Sequence, residues 1–172
     1  MTEASRQPKA QDVSLAVKDL TMAVLDEADL IDELYDAVVR QRDAVRDGDN
    51  EEAQSLMKDI QDISFDVQAQ ETLRTRLAGA VAASFGCEPK VSDLYNAILS
   101  DPALNANEAP LFNEAGERLK HAVSTLKMEM SVLSGLVEHN ERFGAMLLSE
   151  WKRLNTGFGS GPKQSGGLDF RG

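Results

Sequence analysis

An all-α fold is what this sequence predicts: three long antiparallel helices in an elongated, coiled-coil-like bundle, with a short helical insert between the second and third. Three observations carry that prediction. Val17, Val24, Ile31, Val38 and Val45 recur every seven residues, which keeps one seam of a helix facing a partner helix. Only five prolines occur in 172 residues, so long stretches run without a helix breaker. No segment alternates apolar and polar residues as a half-buried strand does.

Each element follows from its own pattern. Residues 1–11 are polar, contain Pro8 and lack periodicity, and are expected to form a flexible arm. The first helix is expected over 13–46, about 50 Å at 1.5 Å per residue. Leu20 and Leu34 fill its intermediate seam slots, while Glu27 and Gln41 take the others. Ala28 and Tyr35 widen the stripe. Gly48 suits the left-handed residue that ends a helix, and Asp49 or Asn50 can cap the next. So short a turn makes the second helix antiparallel to the first.

The second helix carries Ala53, Leu56, Ile60, Ile63, Val67, Leu77 and Val81, weakens at Gln70 and Arg74, and ends near Phe85-Gly86. Residues 86–110, with Pro89, Pro102 and Pro110, read as a loop holding one or two helical turns, with Ser92 capping Leu94–Leu99. The third helix is expected over 111–154. Phe112, Leu119, Leu126, Leu133, Asn140, Leu147 and Leu154 lie seven apart on it. A helical bundle domain over 12–155 is therefore expected. A glycine-rich tail over 156–172 follows, with a composition unable to bury a core.

Composition and charge remove many functions. The formal charge is −11, from 29 acids and 18 bases. That argues against nucleic acid, whose phosphates need a basic surface, and against anionic membranes. No apolar run reaches the roughly 18 residues of a spanning helix, and the first residues lack the apolar stretch of a signal peptide. A cytoplasmic location is expected. Cys87 is the only cysteine, so no internal disulfide can form.

The two histidines, His121 and His139, follow Arg118 and Leu136 at the third position upstream, which is not the Glu-x-x-His spacing of a di-iron bundle. One cysteine and two distant histidines do not make a zinc site. His121 lacks the lysine-glycine expected of a phosphotransfer histidine. Gly157, Gly159 and Gly161 have no strand before them and are linker glycines rather than a phosphate loop. Cys87 has no evident base beside it, and the acidic clusters of the first helix suit a solvated face. No catalytic centre and no cofactor are expected.

The informative feature is apolar surplus. Met128, Met130, Leu133, Leu136, Val137, Phe143, Met146, Leu147, Leu148 and Trp151 crowd into 24 residues of the third helix. Two readings stay open at this level. The residues are core or the seam of a homodimer, as in a homo-oligomeric coiled-coil scaffold. Alternatively they form an exposed groove for a partner helix, in which flexible methionines repack readily.

Three stretches, in order, resemble one family. The first is Leu34-Tyr35-Asp36-Ala37-Val38-Val39-Arg40-Gln41-Arg42-Asp43-Ala44-Val45-Arg46-Asp47-Gly48-Asp49, a long acidic helix with an arginine-rich end before Gly-Asp. The second is Phe85-Gly86-Cys87-Glu88-Pro89 followed by Val91-Ser92-Asp93-Leu94. The third is Leu136-Val137-Glu138-His139-Asn140-Glu141-Arg142-Phe143-Gly144-Ala145-Met146-Leu147-Leu148, in which Phe143 stands where relatives often carry a second asparagine. Over about 15–155 the chain resembles the FlgN-type flagellar export chaperones.

The resemblance implies a chaperone of type III export that binds hook-associated (hook–filament junction) proteins, FlgK/FlgL-like, through an amphipathic helix and keeps them unassembled. It implies a partner-binding set of Met130, Leu133, Leu136, Val137, Asn140, Phe143, Met146, Leu147 and Trp151. It also implies a contact with the export gate protein FlhA. Phe158 and Phe170 are the aromatics of the tail that would make it, although relatives often carry a tyrosine there.

Overall fold

The computed structural model describes residues 10–138, and among these it contains four helices and no strand. They are α1 (Ala10–Asp47), α2 (Asn50–Phe85), α3 (Val91–Ser100) and α4 (Glu108–Glu138). The all-α bundle is the fold class the heptads predict. The expected third helix is α4. It begins three residues earlier than its pattern suggested, and everything expected beyond 138 lies outside the described residues. So do residues 1–9 of the arm expected over 1–11 and the tail over 156–172, whereas Ala10 and Gln11 of that arm already belong to α1.

The α1–α2 turn is set by Gly48. Its φ of 76° lies in the left-handed region. There the Gly48 N–H donates to the Val45 carbonyl (3.2 Å) and the Asp49 N–H to that of Ala44 (2.9 Å). These two bonds satisfy carbonyls that a helix end otherwise orphans. Asp49 then starts α2, because its Oδ1 accepts the Glu52 N–H at 3.0 Å. Gly86 repeats the device at the end of α2, with φ 66° and Cys87 N–H donating to Ala82 O.

Between α2 and α4 the chain is more regular than the sequence suggests. α3 is ten residues long, nearly three turns, rather than one or two. Its cap is Lys90, in extended backbone and without a side-chain hydrogen bond. Ser92 does not cap; its hydroxyl donates to Asp93. Leu94 and Ile98, four residues apart, are fully buried and hold the helix down. Asp101 closes the following turn, its carboxylate accepting the Ala103 N–H and its carbonyl accepting from Leu104 and Asn105.

The described residues divide into two compact units. The first takes 10–25 and 72–117. Its core is Val17, Leu20 and Val24 of α1, Ala78, Val81 and Ala82 of α2, Leu94 and Ile98 of α3, then Leu104, Phe112 and Ala115. Glu108, in the first turn of α4, is buried there. Its Oε1 accepts the Ser14 hydroxyl at 3.0 Å and faces Lys18 Nζ at 3.6 Å. Its Oε2 has no hydrogen-bond partner.

The second unit takes 26–71 and 118–138. Ile31, Leu34, Val38 and Val45 of α1 are buried there with Ala53, Leu56, Ile60 and Val67 of α2 and Leu119, Ala122, Leu126, Leu133 and Val137 of α4. Arg118 pairs with Asp29, and Arg42 with Glu129 at 2.5 Å. Residue number rises together along both helices in these pairs, so α1 and α4 run the same way in this unit. Gln41, on the seam and fully buried, donates its amide N–H to Ala53 O at 3.1 Å across the hairpin.

The two glycine turns make a paired expectation. Gly48→Ala forces a Cβ into φ 76° and should cost about 1–2 kcal/mol. Gly79→Ala, inside α2 with nothing within 4 Å of an added Cβ, should stabilise by about 0.5–1 kcal/mol. Denaturant unfolding of the two variants reads both signs.

Candidate functional site

α4 has a buried line and a free line, and helical phase separates them. Leu119, Leu126 and Leu133 lie seven apart and are 1%, 4% and 0% exposed. Val137 stands one turn beyond Leu133 on the same side and is equally enclosed. On the other side, Met128 is 72% exposed and Val132 55% exposed. They are four residues apart, so their side chains form one ridge, and half-buried Leu136 extends it by another turn.

The sequence-derived binding set therefore divides. Leu133 and Val137 lie in the core of their unit and hold the helix in place rather than offer surface. Met130 and Leu136 are half-buried at the edges of the core line. Asn140, Phe143, Met146, Leu147, Trp151, Phe158 and Phe170 lie outside the described residues. Val132 was not in the set, although its signal was present: it falls off the Leu119–Leu126–Leu133 line by more than a quarter turn. Met128 belongs to the same exposed ridge.

Polar residues on the seam determine how α4 sits in this unit. Glu129 occupies the slot that Ala122 fills one heptad earlier, and it is almost as buried. Its carboxylate accepts from Arg42 Nη1, while Arg42 Nε and Nη2 both donate to Asp43 Oδ1. The hydrogen bond that Arg42 donates to Asp43 is the main influence holding its guanidinium in the charged form, with Glu129 adding to it. Burying Glu129 unpaired would be expensive, so this pair positions the ridge.

Other candidates offer less. A groove of about 330 Å³ in the same unit is lined by Glu33, Asp36, Ala37, Arg40, Asp59, Asp62 and Ile63. Arg40 is paired with Glu52 at 3.0 Å. No group of three or more His, Cys, Asp or Glu residues among the described residues is placed to hold a metal ion. No helix among them is long and apolar enough to cross a membrane. His121 is exposed, and His139 lies outside the described residues. Partial burial raises the Cys87 thiol pKa, and the charges of Asp93 and Glu88 raise it further. The thiol is thus held away from the thiolate a nucleophile needs.

Among the described residues, the second unit is thus a helical bundle with an apolar ridge on its α4 surface. The FlgN protein family model matches residues 16–158, and the chain belongs to that family. Neither a curated protein nor a solved structure matches it. FlgN proteins are flagellar export chaperones, which bind hook-associated proteins during flagellum assembly.

Two expectations follow. Leu133→Ala opens the core and should cost about 2–5 kcal/mol, whereas Val132→Ala should stay within about 0.5 kcal/mol of the parent in thermal or denaturant unfolding. Cys87, at pH 7.5, should react with iodoacetamide more slowly than a free cysteine derivative and accelerate as pH rises, measured by mass spectrometry.

Proposed function

We propose that this chain acts in the cytoplasm as a chaperone with no catalytic step, binding FlgK/FlgL-like hook–filament junction proteins. It keeps them unassembled until type III export. The observation that carries the reading is the exposed Met128–Val132 ridge on a helix whose opposite line is already buried. A client's amphipathic helix covers that ridge and meets the half-buried edges at Met130 and Leu136. Leu133 and Val137 support the face from beneath. Asn140, Phe143, Met146, Leu147 and Trp151 continue the binding segment in sequence. A stable complex of this kind buries about 1,200–2,000 Å² in total. Phe158 and Phe170 make the second contact of the same proposal, with the export gate protein FlhA.

The test is a pull-down and titration with purified hook-associated proteins. The parent chain should form a stoichiometric complex. Val132→Asp and Met128→Asp should each weaken it about tenfold or more while circular dichroism stays unchanged. Binding that survives both substitutions would sink the docking assignment. A chain that light scattering shows to be a tight dimer through α4 would instead assign this face to a second copy.

A further inference from the structure

Charge is distributed very unevenly among the three helical segments of the second unit. The α1 segment, 26–47, has eight acids and three bases. The α2 segment, 50–71, has six acids and one base. The α4 segment, 118–138, has two acids and three bases. Its Glu129 is buried against Arg42, and its Arg118 is taken by Asp29 and Asp32. What the 118–138 segment shows to solvent is the charges of Lys120, Lys127 and Glu138, unpaired among the described residues, the paired Arg118, the polar His121, Ser124 and Ser131, and the apolar ridge.

Lys120 and Lys127 are seven residues apart and both exposed, so they form a row of their own. No ion pair engages either of them among the described residues. Helical phase puts this row to one side of the exposed arc and Met128, Val132 and Leu136 to the other. Ser124, Ser131 and Gly135 fall between, none with a long side chain. The exposed arc thus has an apolar edge and a cationic edge on a chain of net charge −11.

We infer that the segment docked on α4 is an amphipathic helix with an apolar stripe for Met128 and Val132 and, beside it, a row of carboxylates for Lys120 and Lys127. This rests on the chaperone reading and names the chemistry of its client. A basic helix would find its counter-charges on α1 and α2 rather than here. An acidic one is repelled by those two helices and steered to the 118–138 segment, which among the described residues of the unit is the one segment that is not acidic. The apolar edge supplies affinity, and the lysine row supplies orientation, because reversing the helix puts carboxylates against methionine and valine.

The experiment uses the full chain and purified hook-associated proteins as probes, titrated at about 50 and 300 mM salt. The parent should bind more weakly at high salt. Lys120→Gln/Lys127→Gln should bind more weakly at low salt and lose most of the salt dependence, whereas Lys120→Glu/Lys127→Glu should bind about tenfold or more weakly at low salt and recover as salt rises. If the charge-reversed chain binds like the parent while Val132→Asp does not bind, the acidic-edge inference falls and the chaperone reading stands. If the parent binds no hook-associated protein, both fall. If the parent is a dimer that dissociates on Lys127→Glu, the face belongs to the acidic hairpin of a second copy, and the inference is overturned.

Discussion

Val17, Val24, Ile31, Val38 and Val45 must all leave water along one line of a 38-residue helix. An isolated α1 could not achieve this, because a lone helix always exposes its seam. The tight turn at Gly48 brings the seam of α2 against that of α1, and α4 adds a third apolar line. Every later property of the molecule depends on this closure. It decides which side of α4 is spent on the core and which side is left over. The seam tolerates polar exceptions only where they find partners, as Gln41 does on the Ala53 carbonyl and Glu129 on Arg42.

Much of this was legible in the residues. The heptad valines of α1 are all buried, α2 ends at Phe85 as its Gly86 suggests, and Asp49 caps where a cap was expected. α3 was less legible. Its ten residues carry two fully buried side chains, too few for periodicity to show, and its extended cap at Lys90 leaves no side-chain signature. Arg74 was read as a weak point of the α2 seam, yet it lies on the Ala53–Ile60–Val67–Val81 line and is buried like the rest of it. A long side chain can bury its stem and keep a partner for its charge, so a charged residue on a seam need not interrupt it.

The binding face was legible in kind but not in phase. Counting apolar residues on the last helix identifies surplus, but it does not say which residues are surplus. That follows from angle: the leucines repeating by seven take the interior, so Leu133 and Val137 are spent, and Met128 and Val132 are not. The charge asymmetry was half visible. Acidity concentrates in the first hairpin of the sequence. The near-neutral character of the 118–138 segment of α4 emerges once Arg42 is seen to neutralise Glu129 and the Asp29–Asp32 pair to take up Arg118.

A ladder of leucines repeating by seven has a weakness: slid along by one rung, it fits almost as well. α4 is joined to the hairpin through a connector rather than a tight turn, so chain geometry alone does not forbid the slip. Arg42 and Glu129 act against it. One rung away, Ala122 or Leu136 would stand opposite the guanidinium, and a carboxylate would sit in the interior with nothing to neutralise it. In this unit the pair works as an index mark, selecting one alignment from a set that hydrophobic contact leaves nearly degenerate.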